Sequence, residues 1–130
     1  MPPHSLLLSL AVVSALVLVD VNPSEAIDTP QQLKLACEKG DATACTSLGM
    51  LHVEGEGVEQ NNFQAAALFR KACDGGDALG CGSLGFLYEY GGGVRQDNAE
   101  ALKYFGKVCD LKVQVGCDNY ARLKLIMDGR

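Results

Sequence analysis

The residues of this chain with the clearest capacity for chemistry are its six cysteines, which form three pairs of identical spacing. The pairs are Cys37 and Cys45, Cys73 and Cys81, and Cys109 and Cys117. The members of each pair lie eight residues apart, and each pair follows the previous one by thirty-six residues. Cysteines form disulfides, bind metals or exchange with other thiols, and the spacing distinguishes among these chemistries.

Disulfide formation is the chemistry that this spacing favours. Zinc ligands usually come in pairs about two to four residues apart, and thiol-exchange centres carry Cys-x-x-Cys. Neither pattern occurs in the sequence. Eight residues can instead form the turn of a helical hairpin and bring two Cα atoms within the roughly 4.4–6.8 Å that a disulfide requires. We therefore expect each cysteine to pair with its neighbour, and we predict neither a metal site nor a cofactor.

The period of the cysteines is also the period of an internal repeat. Residues 36–71 and 72–107 are identical at half of their positions without a gap, and residues 108–130 begin a partial third unit. Apolar residues recur at offsets of three and four, which predicts two helices per unit in a stacked all-α array, an α/α superhelix. Helices are predicted near residues 30–39, 42–54, 61–74, 78–90, 97–110 and 114–127.

Polar residues and glycines refine these elements. Thr29, followed by proline and by Gln32 three residues later, has the pattern of a helix N-cap, and Asn61 and Asp97 are good N-cap residues for the second helix of each unit. Gly49 and Gly85 lie inside the first helices, where each costs about 1 kcal/mol relative to alanine. We therefore expect another helix to cross closely at these glycines.

The first 26 residues are predicted to be a signal peptide, which leaves residues 27–130 as the folded domain. Residues 6–19 are apolar except for two serines, and a small-x-small sequence ends at Ala26. An uncleaved membrane anchor is the alternative, but the apolar run of fourteen residues is shorter than the roughly 20 that span a bilayer as a helix.

Charge and cysteine content indicate the environment of the mature chain. Residues 27–130 carry eleven basic and fourteen acidic residues, a net charge of −3 that provides no field for phosphate, so nucleic acid is not an expected partner. An even number of cysteines in an exported chain indicates an oxidising compartment. We therefore predict a secreted or periplasmic protein.

With these motifs, the chain resembles the Sel-1-like repeat family, relatives of the tetratricopeptide repeats, and is most similar to the Helicobacter cysteine-rich proteins. The resemblance is carried by the pattern from Ala36 to Val58, with its cysteines, Leu48-Gly49 and Gly55-x-Gly57-Val58, and by the copy that starts at Ala72. It implies a right-handed superhelix that acts as a scaffold and binds a protein or peptide on its concave face. It also implies an alternative function, weak β-lactamase or penicillin-binding activity.

The residues themselves provide little support for an enzyme. A serine β-lactamase commonly uses Ser-x-x-Lys, whereas Ser47 and Ser83 are followed three positions later by Met50 and Phe86. We predict no catalytic residue. His52 could act as a base, but Tyr88 holds the equivalent place in the next unit, which favours a half-buried packing role.

The candidate partner-binding residues lie on the first helices of the units. Met50 and Phe86 occupy equivalent positions and could form an apolar stripe for a peptide, or could be residues at the edge of the core. Arg122, on the last helix, could add a polar contact. The complete predicted set is Met50, His52, Phe86, Tyr88 and Arg122.

Overall fold

The computed structural model describes residues 29–129 of the chain. The predicted signal peptide lies outside these residues. Residues 29–129 form six α-helices and no β-strand. The helices are α1 (Pro30–Glu38), α2 (Ala42–Glu54), α3 (Asn62–Asp74), α4 (Ala78–Tyr90), α5 (Asn98–Asp110) and α6 (Gln114–Met127).

Side-chain caps explain where these helices begin. Thr29 accepts a hydrogen bond from the backbone N–H of Gln32 at the start of α1, and the side chains of Asn61 and Asp97 cap α3 and α5 in the same way. Because these two residues are the caps themselves, α3 and α5 begin one residue later than the sequence pattern predicts. The N-cap of α6 is Val113, whose side chain makes no such bond.

Glycine determines where the first helix of each unit ends. Gly55 and Gly91 follow α2 and α4 with φ angles of 71° and 77°, a left-handed conformation that residues with a Cβ adopt only at a cost. The N–H of each glycine donates to a carbonyl four residues earlier, that of Leu51 or Leu87. The chain therefore leaves α2 and α4 through the same kind of glycine turn.

Two phenylalanines fill the centre of the array. Phe69 on α3 and Phe105 on α5 are almost completely buried. A Cβ atom on Gly49 would lie 2.6 Å from the Phe69 ring, and one on Gly85 would lie 2.7 Å from the Phe105 ring. The predicted close helix crossings at these glycines are confirmed.

Each disulfide joins the second helix of one unit to the first helix of the next. Bridges link Cys37 to Cys45, Cys73 to Cys81 and Cys109 to Cys117, with Cα atoms 4.7, 4.5 and 4.5 Å apart. The predicted all-α superhelix with disulfide staples is confirmed. Within residues 29–129, no helix combines the length and the apolar character that a bilayer crossing requires.

Candidate functional site

The candidate binding residues lie on two different sides of the first helices. Residues two positions apart on an α-helix are separated by about 200° around its axis, so Phe86 and Tyr88 point in nearly opposite directions. Phe86 faces a cleft between α4 and α6, whereas Tyr88 stacks on Tyr104 of α5. The five residues therefore do not form a single surface.

The first of these surfaces is an apolar cleft, which we call the α4–α6 cleft. Its volume is about 470 Å³, and its walls include Leu79, Phe86, Val108, Val115 and Asn119. Leu79 is 63% exposed, Phe86 41% and Val115 58%. Three large apolar side chains of two neighbouring helices are thus available to a ligand at one place.

Phe86 is held in this cleft by other aromatic rings. Its ring meets that of Phe105 edge to face with 5.0 Å between centroids, and it stacks on Tyr90 at 6.5 Å. Because Phe105 is fully buried, one neighbour of Phe86 is part of the rigid core. Phe86 is therefore positioned before any ligand arrives, which lowers the entropic cost of binding.

Arg122 joins the same two helices one turn beyond the cleft. Its two terminal nitrogens donate to the two carboxylate oxygens of Glu89, each at 2.8 Å. The side chain of Glu89 is only 9% exposed, and these hydrogen bonds raise the pKa of Arg122. Arg122 thus fixes the distance between α4 and α6, and its guanidinium is already engaged by Glu89.

Met50 is placed differently from Phe86 although the two positions are equivalent in the repeat. Met50 is half-buried and packs against the core cluster that contains Phe69 and Leu84. It does not line the α4–α6 cleft. Its position is that of a residue at the edge of the core.

His52 lines a second opening, which we call the α1–α3 cleft. This cleft has a volume of about 480 Å³ and is bordered by Lys34, Leu68 and Lys71 among others. His52 is half-buried, and its Nδ1 lies 3.0 Å from the carbonyl oxygen of Glu59. Since a carbonyl oxygen only accepts, this bond requires the proton on Nδ1.

Two residues of the α4–α6 cleft, Leu79 and Val115, were not identified from the sequence. They are equivalent positions of the repeat, thirty-six residues apart, and Thr43 holds the same place in the first unit. The signal was an apolar pair on the first turns of two successive first helices. Extending the thirty-six-residue register into the partial third unit would have revealed the pair, but only the packing shows that both side chains stay exposed.

The described residues offer neither a metal-binding cluster nor a serine followed by a lysine three positions later. Among residues 29–129, no cluster of three or more His, Cys, Asp or Glu side chains is arranged to hold a metal ion. Ser83 lies in the wall of the α4–α6 cleft, and Phe86 stands where a catalytic lysine of the Ser-x-x-Lys type would follow. The chemistry available in this cleft is apolar contact.

Comparisons with known proteins agree with this architecture. The Sel1 repeat family model matches residues 42–77 and 78–113. A search among curated proteins finds no significant match. The match to the family covers α2 to α5 with their connections.

Solved structures give the same result. A Sel1 repeat protein from Oxalobacter formigenes is 31% identical with a TM-score of 0.68, and the match covers 72% of this chain but only 27% of that protein. Cysteine rich protein B of Helicobacter pylori is 32% identical with a TM-score of 0.67, over 79% of this chain and 77% of its own.

A protective antigen of uropathogenic Escherichia coli, described as having an SLR fold, is 25% identical with a TM-score of 0.73, over 78% of this chain and 22% of its own length. The fold of this chain therefore has counterparts among solved Sel1 repeat structures, and the family model matches more than half of its residues. The chain belongs to the Sel1 repeat family.

Proposed function

We propose that this protein is a secreted or periplasmic scaffold that binds an extended peptide segment of a partner protein along α2, α4 and α6. The α4–α6 cleft is the anchor site, and it takes an apolar side chain of the partner. The observation that carries the proposal is the exposure of Leu79, Phe86 and Val115 around one preformed opening.

The volume and the apolar walls of the α4–α6 cleft favour a side chain of a peptide as its ligand. Binding energy at protein interfaces is concentrated in a few apolar or aromatic anchors that enter pockets, and pockets of about 300–1,000 Å³ accommodate such groups. Because the α4–α6 cleft provides one anchor site on a short array, we expect an affinity in the micromolar range, about −8 kcal/mol.

The exported location is supported by the covalent structure. All six cysteines are engaged in disulfides, and such bonds form and persist mainly in oxidising compartments. Sequencing the N-terminus of the protein recovered from an expressing cell tests the prediction. Export with cleavage gives Ile27 as the first residue, whereas a reduced protein that begins at Met1 would contradict it.

A display library of random peptides, selected on the oxidised protein, tests the scaffold proposal. We expect the selected peptides to share an apolar residue and to bind Phe86→Asp and Val115→Asp variants at least tenfold more weakly. Phe63→Asp is the matched control, because Phe63 is 76% exposed on α3 and does not line the cleft. Peptides that bind the Phe86→Asp variant as tightly as the original protein would overturn the site.

This proposal leaves β-lactam hydrolysis without a role. We expect no turnover of the chromogenic β-lactam nitrocefin by the purified, oxidised protein at high protein concentration. Turnover that is lost when Ser47 or Ser83 is changed to alanine would instead favour the enzyme alternative.

A further inference from the structure

The α1–α3 cleft has a filled counterpart in the same molecule. α2 and α4 have the same length and begin thirty-six residues apart. In the same register, α1 is equivalent to the last nine residues of α3. The three packed helices α1, α2 and α3, which we call the first joint, are therefore repeated by α3, α4 and α5, which we call the second joint. What occupies the second joint shows which group fits the first.

Two tyrosines occupy the second joint. The rings of Tyr88 and Tyr104 lie parallel with 5.7 Å between centroids, and Arg70 donates a hydrogen bond of 2.7 Å to the hydroxyl of Tyr88. Nζ of Lys107 lies 5.3 Å from the centroid of the Tyr104 ring. Burial by itself would lower the pKa of Arg70, but its interactions with Tyr104 and Tyr88 raise it overall.

The first joint keeps two of the cations and lacks the rings. Nζ of Lys103 also lies 5.2 Å from the centroid of the Tyr104 ring in the second joint, and Ala67 stands at its position in the first. Lys34 stands at the position of Arg70 and Lys71 at that of Lys107, whereas His52 and Leu68 replace the two tyrosines. All four of these residues line the α1–α3 cleft. Leu68 is half-buried, but Tyr104 at its equivalent position is only 5% exposed. The smaller side chains leave open the space that phenol rings fill in the next joint.

We propose that the α1–α3 cleft binds a tyrosine side chain of a partner protein. Lys34 donates a hydrogen bond to the phenol oxygen, as Arg70 does for Tyr88, and Lys71 lies beside the ring, as Lys107 does for Tyr104. Leu68 and His52 contact the ring from α3 and α2. A cation near an aromatic face contributes only weakly at an exposed site, so recognition depends on the hydroxyl as well as on the ring.

This site is separate from the α4–α6 cleft, and the proposal does not depend on that of the preceding section. His52 and Phe86 lie in different openings. A variant that closes one of them leaves the other in place.

Titration of the isotope-labelled, oxidised protein by NMR tests the inference with N-acetyl-tyrosinamide as the probe. We expect saturable shifts of the backbone amides of Lys34, His52 and Leu68 at about millimolar probe, and binding of N-acetyl-phenylalaninamide about threefold to tenfold weaker because a hydrogen bond to a charged group is lost. Equal binding of both probes, or shifts confined to the α4–α6 cleft, would overturn the proposal.

Two variants sharpen the test. The double variant His52→Tyr with Leu68→Tyr places the protein's own rings in the cleft and should abolish binding of the probe. Lys34→Ala changes only an exposed side chain and should remove the preference for tyrosine over phenylalanine. Leu125→Ala is the control that should bind the probe normally, because Leu125 is 53% exposed on α6 and lines neither cleft. Unchanged binding by the double variant would show that the probe lies elsewhere.

A last comparison identifies the source of the phenol. A Gly-Gly-Tyr-Gly-Gly peptide should bind at least as tightly as p-cresol if the cleft accepts a tyrosine within a chain. Markedly weaker binding of the peptide would assign the cleft to free phenols and would overturn the partner-protein part of the proposal.

Discussion

The ring of Phe105 lies where the side chain of any residue larger than glycine would begin at position 85. A Cβ atom built on Gly85 would be 2.7 Å from Cε1 of Phe105, and Phe105 is completely buried. The ring cannot move aside without disturbing the core, so the contact sets the distance between α4 and α5. Gly49 and Phe69 set the distance between α2 and α3 in the same way.

The first prediction concerns this contact. Gly85→Ala should lower the free energy of unfolding by about 1 to 2 kcal/mol, because the cost of overpacking exceeds the gain in helix propensity. Gly82→Ala on the same helix is the control. The nearest atom to a Cβ there is 3.8 Å away, so only the propensity gain of up to about 1 kcal/mol remains. Urea unfolding of both variants measures the difference, and equal stability of the two would contradict the packing argument.

The second prediction concerns the ion pair between Glu89 and Arg122. Arg122→Met should destabilise the protein by about 1 to 3 kcal/mol, because it leaves the nearly buried carboxylate of Glu89 without its two hydrogen bonds. The lower end is favoured since the Arg122 side chain is 40% exposed and solvent screens its charge. Lys124→Met is the control, because the pair of Lys124 and Asp128 is exposed on both sides and should contribute less than about 0.5 kcal/mol.

The pH dependence of the stability that this ion pair provides follows from the direction in which folding shifts the pKa of Arg122. The pKa of Arg122 is raised in the folded protein. The contribution of the ion pair to stability is therefore complete below the ordinary pKa of arginine, and it is lost only as the pH rises through the pKa of Arg122 in the folded protein. Both values lie far above neutrality. The stability difference between the original protein and Arg122→Met should therefore stay constant between about pH 7 and 9. A difference that shrinks across this range would contradict the assignment.

The third prediction concerns the order in which the disulfides are reduced. Cys109 and Cys117 are half-buried, whereas the four cysteines of the other two bridges are each at most 6% exposed. Thiol exchange requires access of the reductant to sulfur. Limited reduction followed by alkylation and mass mapping should therefore label Cys109 and Cys117 first. Simultaneous labelling of all six cysteines would indicate global unfolding instead of access to one bridge.

The fourth prediction concerns the uncapped start of α6. Asp41 and Asp77 cap α2 and α4 with their side chains, but Val113 at the equivalent position cannot. Val113→Asp should be about 0.5–2 kcal/mol more stable than Val113→Ala, which loses the same packing without gaining a cap. Thermal unfolding of the two variants provides the measurement. If the alanine variant were the more stable one, the aspartate would not be capping the helix.

The helices, three of their N-caps and the disulfide joints could be predicted from the sequence because they depend on local spacing. Asn61 and Asp97 identified the starts of α3 and α5 to within one residue. The interior position of Gly85 indicated a close crossing before any partner was known. Each of these features needs only residues within one unit or its neighbour in the repeat.

The candidate surfaces were predicted less well, because they depend on how side chains of different units meet. Met50 and Phe86 are equivalent in sequence, yet one packs against the core and the other lines a cleft. Glu89 and Arg122 lie thirty-three residues apart, a separation that no single helix pattern reveals. The two clefts arise from differences between units, whereas the repeat alignment emphasises what the units share.

The thirty-six-residue period also constrains how such a chain can change in length. Copying a stretch of one full period from within the repeats, such as residues 78–113, duplicates one cysteine of each type, so that every cysteine of the longer chain again has a partner eight residues away. Oxidative folding of the enlarged protein would then leave no odd thiol to cross-link it to another molecule. A partial duplication that contains a single cysteine breaks this parity. The disulfides therefore favour changes in length by whole units.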